Sequence, residues 1–325
     1  MKINIPPNVA LSAAEIEQWT ADVTRLTESF ARQAPAPRVD FEVDLYRAVR
    51  ARVDLAPFVT PMWREHYEHA EEQFLRGNPY LLQDSLMQYA IFLSMGGVFQ
   101  RKQIPFLESV RPRDELRWLL REDPWLKPNI THAGYESSEN LINHLTHVVS
   151  FEEKTKSHFR DFSRIVEFGG GYGGFARLCR RITPNSTHII MDLPVFLFIQ
   201  AYFLKNTFGA SAVHILAKPG ARIESGKINL VAIGTPEVEA IASAQNDLFV
   251  ATWSLSDANQ FTQDYVFARS YFQARMLLFG YRHYDRPNPR QPCSDSLRET
   301  ANYSVVYRGE TFWSPLNHYF FCRAK

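Results

Sequence analysis

The first part of the chain carries apolar residues at three- and four-residue intervals, the spacing of one face of a helix. Trp19, Val23 and Leu26 follow this spacing, and Ser12 with Glu15 three residues later is typical of a helix N-terminus. The same texture predicts further helices over Phe41–Ala51, Pro61–Arg76, Asn78–Met95 and Asp114–Arg121. The chain up to residue 128 is therefore expected to be an α-helical region.

From about residue 165 the pattern changes to short β-branched runs that alternate with helical segments. Strands are predicted over Arg164–Phe168, His188–Met191, Val213–Leu216, Ile228–Ile233 and Leu248–Trp253. Helices are predicted over Gly174–Ile182, Val195–Phe208, Glu237–Ala244 and, as a long helix, Phe261–Gly280. This alternation predicts an α/β fold with a largely parallel sheet that is covered on both faces.

The end of the chain departs from this alternation. Tyr303–Tyr307 and His318–Cys322 are predicted to be two strands joined by a turn near Arg308 and Gly309. Two consecutive strands with no helix between them indicate an antiparallel pair at the edge of the sheet.

The composition is that of a globular protein, since 45% of the 325 residues are hydrophobic and 22% are charged. A formal net charge of +1 gives no whole-molecule field that would hold a polyanion, so no nucleic-acid partner is expected. The longest apolar run, Pro194–Leu204, is shorter than a membrane span and contains Gln200. The widely spaced Cys179, Cys293 and Cys322 indicate neither a zinc site nor a disulfide framework. We therefore expect a cytoplasmic protein with no membrane partner.

The strand Arg164–Phe168 leads directly into the segment Gly-Gly-Gly-Tyr-Gly-Gly and then into a helix. Glycine adopts dihedral angles closed to other residues and lets the backbone approach a ligand, and the N–H groups at the helix start stabilise an anionic group. Asp192 ends the next strand, about 20 residues on, where a carboxylate can accept both hydroxyls of a ribose. A glycine turn with an acidic strand end is typical of a site for an adenosine-type cofactor.

Two cofactor patterns fit this turn. Gly169, Gly171 and Gly174 satisfy the dinucleotide pattern G-x-G-x-x-G. Glu167, Gly169, Gly171 and Gly173 satisfy E-x-G-x-G-x-G, the pattern of methyltransferases that use S-adenosylmethionine (SAM). The additional acid can reach the ammonium of the methionine moiety, and a dinucleotide has no such group. Glu167 therefore favours SAM, and a NAD(P)-dependent oxidoreductase stays as the alternative.

The chain also resembles a known family, the bacterial sugar O-methyltransferases. The resemblance lies in the runs Ile165–Gly174, Met191–Pro194, Gln200–Leu204 and Asp247–Asp257. It covers roughly Asn140 to Gly280 and is most specific at the glycine cluster. Where the family has Ser-x-x-Glu, this chain has Ser254-x-x-Asp257, and this shorter acid leaves room for a different acceptor.

The resemblance implies a Rossmann-like class I methyltransferase fold with an antiparallel C-terminal strand. It also implies SAM as the methyl donor and a sugar hydroxyl as the acceptor. Two parts are expected: residues 1–128, an α-helical lid or dimerisation element, and residues 129–325, the SAM-binding domain. The predicted cofactor-binding residues are Glu167, Gly169, Gly170, Gly171, Tyr172, Gly173, Asp192, Leu193, Thr252, Trp253 and Ser254.

Transfer of a methyl group to a hydroxyl is expected to need a general base, and histidine is the commonest choice. His144 and His147 are three residues apart and would share one helical face. His144 is the best single candidate, and a purely structural role for either histidine is the alternative. No third ligand accompanies them in a recognisable motif, so no metal is expected.

Asp257 follows the strand Leu248–Trp253, and ligands in such sheets bind beyond the carboxyl ends of the strands. Trp253, Ser254 and Asp257 are thus placed to meet the acceptor or the methionine end of the cofactor. The alternative is a helix N-cap formed by Ser254 or Ser256. The predicted catalytic residues are His144, His147 and Asp257.

The sequence as a whole predicts a SAM-dependent methyltransferase that modifies a hydroxyl of a small molecule, a sugar or a natural-product intermediate. Methylation of an amine is a further alternative, and a homodimer is compatible with the helical region.

Overall fold

The N-terminal part of the protein forms a series of helices. The computed structural model describes residues 12–32, 35–84, 86–87, 99–282 and 302–325. The helices are α1 (Ala13–Ala31), α2 (Val43–Arg50), α3 (Pro61–Leu75), α4 (Gln100–Val110) and α5 (Arg113–Leu120). α1 begins with the predicted capping box, in which Ser12 Oγ accepts the N–H of Glu15 and the Glu15 carboxylate accepts the N–H of Ser12. This exchange satisfies donors that a helix start leaves unpaired.

Within the described residues, eight strands form one sheet in the order β3-β4-β2-β1-β5-β6-β8-β7. They are β1 (Arg164–Phe168), β2 (Thr187–Asp192), β3 (Val213–Ile215), β4 (Ile228–Ala232), β5 (Asn246–Thr252), β6 (Ala274–Arg282), β7 (Tyr303–Thr311) and β8 (Ser314–Ala324). β1 to β6 run parallel to one another, whereas β8 pairs antiparallel with both β6 and β7. The predicted Rossmann-like α/β sheet with an antiparallel C-terminal strand is confirmed.

Helices cover both faces of this sheet. α6 (Glu139–Thr155), α7 (Gly174–Ile182) and α8 (Pro194–Phe208) pack on one face. The other face carries the short α9 (Ser254–Asp257), α10 (Gln260–Phe267) and the 3-10 segment Pro236–Ser243, which replaces the helix predicted at 237–244. Alternating strand residues supply both cores, because successive side chains of a strand point to opposite faces.

α8 is buried on all sides, unlike an ordinary surface helix. Phe196, Phe198 and Phe203 of α8 belong to the same apolar cluster as residues from α2 and α3. The rings of Phe198 and Tyr46 are 5.5 Å apart, and those of Phe198 and Phe74 are 6.1 Å apart. The N-terminal helices therefore form a further layer outside the sheet and its covering helices.

The predicted long helix Phe261–Gly280 is wrong. α10 ends at Phe267, residues 270–273 have φ angles of 47° to 57°, and β6 then begins at Ala274. A left-handed segment cannot continue a right-handed helix. The apolar run that follows fits a central strand as well as a buried helix, so the periodicity could not distinguish the two.

The predicted turn at Arg308 and Gly309 is also wrong. Both residues lie inside β7, opposite Phe320 and Tyr319, and the chain turns between Thr311 and Ser314. Thr311 Oγ1 accepts the N–H of Ser314 and donates to its carbonyl oxygen at 2.8 Å. A threonine side chain thus closes a turn that contains no glycine.

Two differences concern the N-terminal helices. α4 was not predicted, because Pro105 interrupts the pattern, yet this proline lies inside the helix. Of the predicted helix Asn78–Met95, Leu81–Gln83 is a 3-10 turn, and most of the rest lies outside the described residues. None of the helices in the described ranges is long and apolar enough to cross a membrane.

Candidate active site

The glycine turn joins β1 to α7 at the carboxyl edge of the sheet. Gly169, Gly171 and Gly173 have φ angles of 71°, 57° and 100°, which side chains disfavour. A Cβ on Gly169 would also collide with the side chain of Ser254, and one on Gly174 would lie 2.6 Å from the Tyr172 ring. Conformation and close packing both require glycine here, so the turn presents bare backbone at the start of α7.

Asp192 lies at the end of β2, directly beside this turn. Its Oδ1 accepts the N–H of Leu193 at 2.7 Å and its Oδ2 accepts an N–H of Gln200 at 2.7 Å. Burial raises the pKa of this carboxyl to about 7, with a further contribution from the nearby Glu167. The backbone N–H of Gly170 also bonds to this carboxyl. Since a carboxylate offers about four acceptor positions, Asp192 retains capacity for about one more donor.

Glu167 is 4% exposed, and it lies close enough to Cys179 of α7 to help burial raise the pKa of that thiol. Its Oε2 is 2.7 Å from Nε2 of His188 on β2. The carboxylate is thus paired inside the protein, at the boundary of the site. Contact with a cofactor ammonium stays a prediction.

The end of β5 lies next to the turn because β5 pairs with β1. Thr252 is the last residue of β5, and Trp253 follows with a φ of 67°, an unfavourable angle for a bulky residue. Ser254 Oγ donates to the carbonyl oxygen of Phe168, so the two strand ends are joined. Gly169, Asp192 and Ser254, far apart in sequence, therefore meet along one edge.

The two predicted histidines differ in their surroundings. His147 is fully buried, its Nδ1 lies 2.7 Å from the hydroxyl of Tyr319, and the Trp253 ring packs against it at 5.5 Å. His144 is half-buried, 5.6 Å from the ring of Phe175, and its Nε2 is 3.2 Å from Nδ2 of Asn140. Burial lowers the pKa of His144 to about 3, so the ring is neutral at ordinary pH. Contact of either histidine with a substrate stays a prediction.

Asp257 closes the short α9 after Trp253. Its Oδ1 is buried and has no hydrogen-bond partner among the described residues. Burial raises the pKa of Asp257 to about 6, and Arg282 acts in the opposite direction. A buried carboxyl oxygen without a partner is costly, so this atom is a candidate contact for a bound ligand.

The sequence did not single out three further residues of this region. Gln200 joins Asp192 to the turn, Tyr319 holds His147, and Phe58 packs over Gly234 beyond the end of β4. Only Gln200 gave a signal, because it lies in a run that resembles the sugar O-methyltransferases. The other two lie more than 100 residues from their partners.

A cleft of about 360 Å³ opens beyond the end of β4. Phe58, Thr235, Phe261 and Tyr265 line it together with Glu239, which pairs with Arg269 at 2.6 Å. Because β4 is the neighbour of β2, this cleft continues the edge on which Asp192 lies.

In the part of the chain that is described, no group of three histidine, cysteine or acidic side chains could hold a metal ion. The expectation of a metal-independent site remains a prediction.

No protein-family model matches the sequence, and no curated protein matches it significantly. Among solved structures, EvdMO1 is 13% identical with a TM-score of 0.38 over 69% of this chain. The match spans 47% of EvdMO1, so the chain corresponds to about half its length.

Two other structures are covered more fully. Mitomycin 7-O-methyltransferase MmcR is 13% identical with a TM-score of 0.38, over 87% of this chain and 95% of that one. Magnesium protoporphyrin IX methyltransferase (ChlM) from Synechocystis PCC 6803, with bound SAH, is 10% identical with a TM-score of 0.39, over 56% and 84%. All three structures are at most 13% identical to this chain, with TM-scores below 0.4.

Proposed function

We propose that this chain is a SAM-dependent methyltransferase that methylates a hydroxyl of a small molecule. The observation that carries the proposal is the placement of Asp192 beside the glycine turn at the carboxyl edge of a parallel sheet. Ligands in open α/β sheets bind at this edge, where the strand order reverses. Here the reversal lies at β1, between β2 and β5.

The residues present fit an adenosyl cofactor along this edge. The bare backbone of Gly169–Gly173 and the start of α7 would receive the methionine carboxylate. Asp192 would accept a ribose hydroxyl, and the cleft beyond β4 with Phe58 would receive the adenine. The order of the strand ends, with β2 between β1 and β4, supports this placement.

We assign different roles to the two histidines of α6 in methyl transfer to the acceptor. Transfer forms a bond between the acceptor oxygen and the methyl carbon while the carbon–sulfur bond breaks, and the hydroxyl proton must leave. His144 is half-buried and lies against Phe175 at the start of α7, so we assign it as the base that takes this proton. His147, on the same helix, is enclosed by Tyr319 and Trp253, and its bond to Tyr319 holds α6 against β8.

The resemblance and the position of Asp257 both support a sugar as the acceptor. The resemblance implies a sugar hydroxyl, and the partnerless oxygen of Asp257 is suited to accept a hydrogen bond from a second hydroxyl of such an acceptor. An amine acceptor would use the same edge, and an acceptor screen distinguishes the two.

The test is calorimetric titration with S-adenosylhomocysteine (SAH), NAD and NADP on wild type and on Asp192→Ala. We expect micromolar binding of SAH and at least a tenfold loss in the variant, because a charged hydrogen-bond acceptor is worth about 1.5–3 kcal/mol. Asp114→Ala, at an exposed position on α5, is the matched control and should bind as wild type does. Binding of a dinucleotide without SAH would replace the proposal with an oxidoreductase.

A further inference from the structure

We propose that Gln200 is a positioning residue of the cofactor site, whose amide holds the carboxylate of Asp192 and the glycine turn in the one arrangement that receives a ribose. This inference rests on the proposed function and assigns a role to a residue outside the predicted site.

The geometry joins two separate parts of the chain. Nε2 of Gln200, on α8, lies 2.7 Å from Oδ2 of Asp192 and 3.1 Å from the carbonyl oxygen of Gly171. Gln200 itself is fully buried. One amide group therefore sets the orientation of the ribose acceptor relative to the turn.

The orientation of this amide is dictated by its neighbours. An ionised carboxylate and a backbone carbonyl are both acceptors only, so the NH₂ end must face them. The opposite atom, Oε1, is buried and has no hydrogen-bond partner among the described residues. The Gln200 amide thus leaves Oε1 without a hydrogen bond, while both N–H groups of Nε2 donate to the site.

The glycine turn leaves the space that this contact needs. A Cβ on Gly170 would lie 2.7 Å from Cγ2 of Ile190 and 3.2 Å from Nε2 of Gln200. Gly170 has no positive φ angle, in contrast to its two neighbours. Its small size, and not its conformation, is what the approach of Gln200 requires.

The charges around Asp192 make this contact matter. Glu167, paired with His188, lies near enough to oppose ionisation of Asp192, and burial opposes it more strongly. The N–H groups of Leu193, Gly170 and Gln200 act in the opposite direction. Among these, Gln200 is the one side-chain donor, so its removal should shift the balance toward the protonated acid, which has lost acceptor capacity for ribose.

The experiment measures SAH affinity from pH 5.5 to 9 for wild type, Gln200→Met and Gln200→Glu. In wild type the affinity should fall about tenfold per pH unit below roughly pH 7, where Asp192 takes up a proton. In Gln200→Met this fall should begin about one pH unit higher, which lowers affinity about threefold at pH 7.5 and about tenfold at pH 6. In Gln200→Glu the introduced carboxyl faces two acceptors when ionised, so affinity should rise as the pH falls and the pair shares a proton.

The control is Asn246→Leu. Asn246 begins β5, at the edge away from the turn, and its Nδ2 donates to the carbonyl oxygens of Ile241 and Phe272. Its replacement removes these two hydrogen bonds and the one that Arg164 donates to Asn246 Oδ1, so it should lower the melting temperature without moving the pH profile.

The outcomes separate the two proposals. If wild type binds SAH and a folded Gln200→Met has the same affinity and pH profile, the role of Gln200 is overturned and the proposed function stands. The same shift in Asn246→Leu would reduce it to general destabilisation. Absence of SAH binding by wild type would overturn the proposed function itself.

Discussion

The two histidines of α6 show how neighbouring residues of one type come to differ in chemistry. His147 has its Nδ1 beside the Tyr319 hydroxyl and is enclosed by rings, whereas His144 keeps part of its ring accessible next to the turn. Both pKa values are lowered by burial, so neither histidine needs to lose a proton before it can accept one. Access, more than basicity, distinguishes them.

We predict that His144→Gln lowers kcat by about 100- to 10,000-fold, the usual contribution of a general base. SAH affinity should stay within a factor of two or so, because the ring is assigned to the acceptor. The measurement is transfer of labelled methyl from SAM to the first acceptor found by screening. His214→Gln, on β3 and paired with Glu224, is the control. Full turnover in His144→Gln would leave the base unassigned and favour Asp257.

At this scale the sequence was informative where a residue's role is local. Gly169 and Asp192 were predicted because a turn needs glycine and a strand end offers a carboxylate. Gln200 and Tyr319 were not, because their roles depend on partners that only the folded sheet brings within hydrogen-bond distance. Asp257 was predicted on position alone, and its partnerless oxygen became visible only in the structure.

Among the elements, the junction of β1, the turn and α7 depends on packing as much as on backbone angles. Gly169 faces Ser254 so closely that the ends of β1 and β5 have no room for a methyl group between them. The two strand ends are also joined by the Ser254 hydroxyl. The turn is therefore held on its β5 side by contact and on its β2 side by Gln200.

A pair of glycine substitutions separates these effects. Gly169 and Gly77 have similar φ angles, 71° and 67°, but a Cβ on Gly77 meets nothing within 4 Å. We expect Gly77→Ala to cost about 1 kcal/mol through its backbone angle alone. Gly169→Ala should cost a further 1–3 kcal/mol, roughly, through overpacking against Ser254, and should abolish SAH binding.

Urea unfolding monitored by circular dichroism measures the first quantity, and SAH titration measures the second. Equal destabilisation of the two variants would mean that Ser254 moves aside without cost. The close packing would then have no bearing on binding.

Sequence patterns were sufficient to predict some of the helices and strands and not others. β1 and α7 were predicted with the bounds that the structure has, because a β-branched run ends at glycine and an amphipathic run follows. β6 was mistaken for helix because a strand buried on both faces has no period of two. α4 was missed because Pro105 argues against a helix that packing nevertheless maintains.

For the whole molecule, the N-terminal helices and the sheet share one core. α8 is buried between them, and Arg177 of α7, fully buried, donates to Asp123 at 2.5 Å. Arg52 donates to Glu237 across the same boundary, also at 2.5 Å. The predicted division at residue 128 would cut through these contacts, leaving a buried charge unpaired.

We therefore predict that a fragment of residues 129–325 is insoluble or fails to fold, because α8 would expose a large aromatic surface. Residues 35–325 are the matched control, since α1 has only Phe30 buried among its described side chains. That longer fragment should stay soluble and unfold in one step. Expression followed by size-exclusion chromatography measures the solubility of both fragments, and thermal unfolding shows whether the longer one unfolds in one step. A soluble 129–325 fragment that binds SAH would show that the division is real.

The hydrogen bond between His147 and Tyr319 has a consequence for the order of events during folding. It joins positions 172 residues apart in the chain, across an antiparallel strand that docks beside β6. Contacts of such long range form slowly, because the loop that they close loses entropy before packing compensates for it. We therefore expect local helices such as α1 to form early during refolding. The contact between His147 and Tyr319 forms only after β8 has paired with β6. A refolding chain would then acquire its secondary structure well before its ability to position a substrate.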